Sequence, residues 1–321
     1  MVVFFTICSK NYLAQAITLN KSFQKYYSSE RFVIALVDNL NEDEVKMIEG
    51  YDVIYSKDIF YLETQSFYNK YDVVELNTAF KPYYIDYFFK EGYQKVIYLD
   101  PDTYLYAPID IVINNLDKYN YILTPHFFTP IDDNKILNEH ITLITGIFNL
   151  GFFAVSNTKI GQALINWWKA KLFDGCLSQP SNGYFVDQKW MNLSICLFNG
   201  FLIDKNPGLN MAHWNLHERY LSVSESQIKV NENFPLIFFH FSSYRPLVPS
   251  RIAEEQNRFT FESRPDILNL YDNYRIEVLN NGYSFFSKLN PFYGRKQTKR
   301  EKYNRLVKLK ISNLVDRLLK I

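Results

Sequence analysis

Short apolar runs rich in Val, Ile, Phe and Tyr alternate with longer stretches of helical spacing through the first half of the chain. This is the pattern of a sheet covered by helices. Residues 2–7, 32–37, 53–55 and 95–99 predict strands. Between them, a helix capped by Asn11 is expected to run to about Tyr27, a short one to cover 42–49 and close at Gly50, and a longer one to cover 73–90. An open α/β sheet of this order takes its ligand at the carboxyl ends of its strands, so residues that directly follow strands are the first place to look for chemistry. The second half is less regular and predicts mixed topology. Strands are expected near 121–123, 147–155, 201–203 and 236–239. Helices are expected over 159–173, 187–197 and 264–281, the last tolerating Pro265 in its first turn.

Composition narrows the class. A chain of 321 residues makes one large or two modest domains, and 47% hydrophobic against 21% charged residues excludes disorder over most of the length. Aromatic residues at 17% suit a polar cleft as well as a core. A net charge of +1 excludes a protein built as a whole to coat nucleic acid, but the balance is uneven, with residues 295–321 at +8 and the remainder at −7. That basic end carries Val307, Ile311, Leu314 and Leu318 at near-heptad spacing, a cationic amphipathic helix suited to an anionic membrane surface or to docking on protein. Cys8, Cys176 and Cys196 cannot all pair and read as buried free thiols. The opening run lacks a basic leader and meets polar residues too soon for a signal peptide, and no stretch approaches the ~18 apolar residues of a bilayer span. A cytoplasmic protein is expected.

The first glycine is Gly50, so the strand-to-helix turn at residues 8–12 contains none. Dinucleotide folds and P-loops need glycines there because backbone amides approach phosphates closely, and both are excluded. The same absence counts against a sugar nucleotidyltransferase. A nucleotide bound at this turn would be held by side chains such as Asn11 and Tyr12.

The most informative passage runs from Lys95 to Thr103, where an apolar strand leads into Asp100-Pro101-Asp102. With period 2 the two carboxylates project to one side and repel unless a cation lies between them; oxygen ligands suit Mg²⁺ or Mn²⁺. The alternative is a polar turn with local backbone bonds. Far downstream, the apolar run ending at His240 offers an imidazole, which favours Mn²⁺ over Mg²⁺. Taken alone, a histidine at a strand end is more often structural.

At these residues the chain resembles the GT-A glycosyltransferases, most closely the family 8 type that includes glycogenin and bacterial lipopolysaccharide galactosyl- and glucosyltransferases. Tyr98-Leu99-Asp100-Pro101-Asp102 is similar to that family's Y-L-D-x-D, with Lys81 where a basic residue, usually Arg, stands one helix upstream. Phe148-Asn149-Leu150-Gly151 is similar to F-N-x-G, Asp187-Gln188 with Asn192 to D-Q-x-x-x-N, and His240-Phe241 to H-F-x-G. The resemblance covers about residues 2–245. It implies a GT-A mixed sheet flanked by helices for a catalytic domain over 1–250; the residue pattern predicts a helical segment over 251–294 and the basic helix over 295–321 beyond it. The resemblance also implies transfer of a hexose or N-acetylhexosamine from a UDP-sugar to a glycan, glycolipid or protein acceptor, with retention of configuration.

By that resemblance, Asp100, Asp102 and His240 hold the metal. Ser9, Asn11, Tyr12 and Asp38 lie at the uridine, and Lys81 reaches a phosphate or the sugar. Asn149 and Gly151 flank the donor sugar, and Asp187 and Gln188 lie by the anomeric carbon. Two departures stand out: Ser243 replaces the glycine of H-F-x-G, and Tyr244-Arg245-Pro246 lacks the usual Lys-Pro-Trp, leaving Arg245 as a substitute phosphate contact. Other readings of the same residues are a strand-end turn at Asn149 and a helix start stabilised by its dipole at Asp187; the polar and aromatic loop 207–215 suits a sugar platform, with a core plug as the alternative for Trp214. Of the adjacent Trp167 and Trp168, one is expected to face inward. His126, His140 and His217 have no partner in sequence. A carbohydrate-binding protein that kept the fold without catalysis is the alternative function, as is, more weakly, a nucleotidyltransferase; a homo-oligomer and contact with the inner face of a membrane are open.

Overall fold

The computed structural model describes residues 1–59, 64–224 and 227–296. Seven strands form the main sheet: β1 (Val2–Cys8), β2 (Arg31–Leu36), β3 (Val53–Tyr55), β4 (Lys95–Leu99), β6 (Tyr121–Leu123), β7 (Phe152–Ser156) and β8 (Phe201–Ile203). Their spatial order is β8-β6-β7-β4-β1-β2-β3. All neighbours run parallel except β7, which is antiparallel to both β4 and β6. The expected mixed sheet flanked by helices is therefore what the chain adopts. β1 is buried on both faces, and the period of two sends Phe4 and Phe5 into separate cores. Phe4 packs on Phe23 and Tyr27 from one side, at 4.6 and 5.5 Å between ring centroids, and Phe5 meets Phe88 and Tyr98 at 5.2 and 5.1 Å on the other.

The helices follow the predicted pattern with informative differences. α1 (Leu13–Gln24) follows a tight 3₁₀ turn over Lys10–Tyr12, so Asn11 sits inside that turn and does not cap the helix. α2 (Glu42–Lys46) is shorter than expected, begun by an Asn41–Glu44 capping box. The long helix expected over 73–90 is two, α3 (Val73–Ala79) and α4 (Lys81–Lys90). Pro82 has no N–H to give the Thr78 carbonyl and its ring crowds the preceding turn, so the helix restarts there. That restart begins with Lys81. Beyond β7, α6 (Lys159–Gly175) is capped by Thr158 and buries Trp168 completely, while Trp167 is left partly exposed. No strand forms over 147–151, which makes a turn after α5 (Glu139–Thr145). Residues 187–197 do not form a single helix either: a 3₁₀ segment over Lys189–Leu193 precedes one short turn, leaving Asp187 and Gln188 ahead of it.

A small second sheet joins β5 (Thr103–Leu105), β9 (Met211–Ala212) and β10 (Phe238–His240). The antiparallel register of β10 on β5 sets His240 opposite Thr103. α7 (Leu268–Asn280) closes the face beside α1, with Tyr274 stacked on Phe241 at 3.8 Å, and shares the core of residues before 250. Cys8 and Cys176 are buried, whereas Cys196 is exposed, against expectation. No helix among the described residues is long and apolar enough to cross a membrane. The predicted basic helix lies, apart from its first two residues, outside the described residues.

Candidate metal centre

β4 ends at Leu99, and Asp100-Pro101-Asp102 forms the turn into β5. The two carboxylates are thus brought together by a tight turn rather than by the pleat of one strand. The Asp100 N–H donates to Gly151 O at 2.7 Å, and the Tyr98 hydroxyl donates to Asp100 Oδ1. The β5–β10 register then delivers His240, whose Nε2 lies 3.0 Å from Asp102 Oδ1 and 3.7 Å from Asp100 Oδ2. One ligand-capable atom from each of the three falls within 4.8 Å of the others.

The ring of His240 is 3% exposed, and its Nδ1 is buried with no hydrogen-bond partner among the described residues. Burial alone would lower its pKa, but the carboxylates of Asp102 and then Asp100 outweigh burial and raise it. Trp214 meets the ring edge to face at 5.2 Å, so this tryptophan is buried packing for His240. Gly151 supplies the space on another side, because a Cβ there would lie 2.3 Å from His240 Cε1 and 2.6 Å from Nδ1. Two carboxylates, one imidazole and a cradle kept open by glycine fit a divalent cation, and the nitrogen donor favours Mn²⁺ over Mg²⁺.

Lys81 and Asp187 form the second part. The Lys81 ammonium, 3% exposed, lies 2.8 Å from Asp187 Oδ2, 2.8 Å from Leu150 O and 3.8 Å from Asp100 Oδ1. Burial would lower its pKa, yet the Asp187 and Asp100 charges raise it, so the amine stays charged. Burial pushes the Asp187 carboxyl upward, an effect that Lys81 opposes. Asp187 is therefore a buried ion-pair partner, and the reading as a helix start does not describe it. Val186, just before it, holds a left-handed φ of 39°, which a β-branched residue rarely adopts. Gln188 donates to Thr145 O at 3.1 Å and turns its Oε1 toward the Leu150 N–H at 3.4 Å.

Asn149 lies in the turn before β7, 9% exposed, its Oδ1 accepting from Gly151 N at 3.1 Å and Asn210 Nδ2 at 3.0 Å. Asn11, Tyr12 and Arg245 line a cleft of about 530 Å³ together with Gln15, Ser243 and Tyr283. Tyr12 is 42% exposed and presents its ring on the wall of this cleft. Arg245 is mostly exposed and pairs with Glu254 at 2.6 Å. Ser9 and Asp38 are not on the cleft wall. Ser9 Oγ donates to Val37 O, and the fully buried Asp38 accepts N–H bonds from Lys10 at 3.0 Å, Asn39 at 2.8 Å and Phe292 at 2.8 Å. Ser243 holds φ 58°, the left-handed conformation a glycine takes without cost, so the backbone keeps this turn although the residue differs from H-F-x-G.

Sequence reasoning missed three contributors. The Tyr98 hydroxyl was legible in principle, since Tyr98 lies only two positions before Asp100, at the end of the strand that leads into the turn. Asn210 and His126 were not, because their partner Asn149 is remote in sequence.

No protein-family model matches the chain. Among curated proteins, it is 24% identical over 273 residues to the uncharacterized protein YfnF of Bacillus subtilis (strain 168), spanning 83% of this chain and 89% of that one. It is 28% identical over 102 residues to the uncharacterized protein YfnD of the same organism, spanning 31% and 32%. Among solved structures it is similar to the galactosyltransferase LgtC in complex with donor and acceptor sugar analogs, at 14% identity and TM-score 0.47, covering 87% of this chain and 96% of that one. It is also similar to the glycosyltransferase GlyE of Streptococcus pneumoniae TIGR4, at 18% identity and TM-score 0.47, covering 91% and 65%.

Proposed function

We propose that this protein is a metal-dependent glycosyltransferase of the GT-A type, which transfers a hexose or N-acetylhexosamine from a UDP-sugar to a glycan, glycolipid or protein acceptor with retention of configuration. The observation that carries this reading is the meeting of Asp100, Asp102 and His240, from distant stretches of chain, beside the buried Lys81–Asp187 pair. Asp100, Asp102 and His240 would hold the divalent ion, which when bound supplies positive charge next to the leaving diphosphate. The remaining work falls to side chains. The cleft with Tyr12 and Arg245 suits the nucleotide, an aromatic face and a cation at its wall. The Lys81 ammonium is held charged between two carboxylates, where it stabilises negative charge as the sugar–diphosphate bond breaks. The sugar carbon then becomes oxocarbenium-like, and Asp187 supplies negative charge beside it. Asn149 and Gln188, both tied to the backbone around Leu150, orient the sugar and the incoming hydroxyl. In this reading the enzyme works on the cytoplasmic side, with residues 295–321 as its contact with an anionic membrane face.

The test is a screen of UDP-sugars for hydrolysis and transfer with Mn²⁺, comparing the wild type with Asp102→Ala. Turnover of at least one donor, lost by about 10³-fold or more in the variant while its melting temperature in the absence of metal stays within a few degrees, is expected. Full turnover by the variant would remove the assignment. Absence of turnover in the wild type, with no thermal stabilisation by UDP and Mn²⁺, would favour a carbohydrate-binding protein without catalysis.

A further inference from the structure

Behind Asn149 lies a chain of buried polar side chains contributed by three separate segments. Asn210, 1% exposed, donates from Nδ2 to Thr124 Oγ1 at 2.9 Å and to Asn149 Oδ1 at 3.0 Å. Its backbone is left-handed, at φ 52°, a conformation that asparagine tolerates better than most residues. Asn215, fully buried, ties this residue to the next by donating to both Asn210 O and His126 O at 3.0 Å. The His126 ring lies with Nδ1 3.2 Å from Ile147 O and Nε2 3.4 Å from Asn149 Nδ2.

A carbonyl oxygen accepts only, so the Ile147 contact assigns the ring proton of a neutral His126 to Nδ1, leaving Nε2 as an acceptor. The Asn149 carboxamide is then oriented from both ends. Its oxygen is taken by two donors, Gly151 N and Asn210 Nδ2, and its nitrogen faces an imidazole lone pair. Reversing the amide would set oxygen against the His126 lone pair and nitrogen against two N–H donors, losing all three contacts. The Asn149 carboxamide thus has its contacts met in one orientation only, which specifies that orientation, while Asn210 Oδ1 is buried without a partner among the described residues.

We propose that Asn210 and His126 are positioning residues that hold the Asn149 carboxamide in one orientation, so that its remaining N–H is presented as a donor to a sugar hydroxyl oxygen. This rests on the glycosyltransferase reading above. It concerns the sugar alone, since neither residue lies on the wall of the nucleotide cleft.

Asn210→Asp tests the proposal, because it replaces the Nδ2 donor facing Asn149 Oδ1 with an oxygen at nearly unchanged volume. The active UDP-sugar is first identified with the wild-type enzyme. Turnover of that donor and calorimetric binding of UDP with Mn²⁺ are then compared. The proposal expects kcat/KM for the sugar donor to fall by about 10–100-fold while UDP affinity stays within about twofold. In a second pair, His126→Gln, which can keep an acceptor near Asn149, is expected to retain most of the turnover that His126→Ala loses. Equal losses in turnover and UDP binding, or equal behaviour of the Gln and Ala variants, would make these residues structural only and overturn the proposal. Unchanged turnover in Asn210→Asp would overturn it as well. A wild type that turns over no UDP-sugar fails the glycosyltransferase reading itself, a result separable from all of these.

Discussion

Gly151→Ala isolates the link between packing and metal binding. The added Cβ would lie 2.3 Å from His240 Cε1 and 2.6 Å from Nδ1, with Asn149 Oδ1 at 2.9 Å. Carbon atoms settle at ~3.5 Å or more, so the ring must retreat by about 1 Å. Trp214 stands edge to face against that ring at 5.2 Å, so the retreat also disturbs the packing behind it. Overpacking of this kind costs about 1–3 kcal/mol. Displacement of an imidazole by that much from the carboxylate pair should weaken a divalent ion by about 10–100-fold, the range found when the shell around metal ligands is perturbed. Thermal melts with Mn²⁺ read this out. At a metal concentration 100 times the wild-type Kd, binding adds about 2.7 kcal/mol, or roughly 5 °C for a chain of this size. With a hundredfold weaker Kd the same concentration adds only ~0.4 kcal/mol, under about 1 °C. His240→Ala should make the added methyl at position 151 much cheaper, because the ring it strikes is gone. A Gly151→Ala protein that gains the full shift with Mn²⁺, or whose destabilisation is unchanged in the His240→Ala background, would refute the reasoning.

Two further outcomes follow from burial and backbone conformation. Burial lowers the His126 pKa to about 4 and that of His213 to about 3, below the 6.5 of an exposed imidazole. Such a group binds its proton in the unfolded chain first, so the stability it contributes is present above pH ~6.5 and is lost as pH falls through the folded value. For His126 the loss amounts to about 3 kcal/mol, and His126→Gln should flatten the fall in urea midpoint between pH 6.5 and 4; an unchanged pH profile would reject it. Ser243→Gly should hold or raise the denaturation midpoint, by up to about 1 kcal/mol, because φ 58° costs serine roughly 1–2 kcal/mol against the extra chain entropy of glycine. A clear loss of stability there would show that the hydroxyl has a role the backbone does not explain.

The parts of the fold that could be read in sequence were those decided locally. Residues 53–55, 95–99, 121–123 and 201–203 are strands as expected, since short β-branched and aromatic runs between turn residues leave few alternatives. Failures came where a single residue or a remote partner decides. Pro82 breaks the helix expected over 73–90, and the break starts α4 at Lys81. The turn at 147–151 is apolar enough to read as strand, yet it ends in Gly151, whose bare Cα admits His240. No local pattern could announce that contact. The carboxylate pair was conspicuous because charged residues directly after a buried strand are expensive without a partner. Its completion by His240 depends on the β5–β10 register, a pairing of segments far apart in sequence. Asp38, which the resemblance places at the uridine, shows a different kind of long-range contact: its carboxylate gathers three backbone N–H groups, one of them from Phe292 near the far end of the described chain.

Lys81 decides how the site balances its charge, and substitution by arginine tests whether a compact cation is required. The resemblance sets arginine as the usual residue here, so an exchange would look conservative. The pocket argues otherwise. Three acceptors face the Lys81 ammonium, Asp187 Oδ2, Leu150 O and, farther away, Asp100 Oδ1, with the Tyr98 ring centroid at 4.5 Å closing another side. A guanidinium brings five donors in a planar fork and more bulk than an ammonium to a site that is 3% exposed and offers three acceptors. Lys81→Arg should therefore cost about 1–3 kcal/mol through overpacking and unsatisfied N–H groups. Lys81→Met fits the space but strands the Asp187 carboxylate, for a cost of about 3–5 kcal/mol at neutral pH. Protonation of Asp187 should recover part of that loss, so the deficit of the Met variant is expected to shrink as pH falls, while that of the Arg variant, being steric, is not. Chemical denaturation of the three proteins at neutral and mildly acidic pH separates these causes. An arginine variant as stable as the wild type would mean that the pocket relaxes around the larger head, and that the ammonium is held there by charge alone.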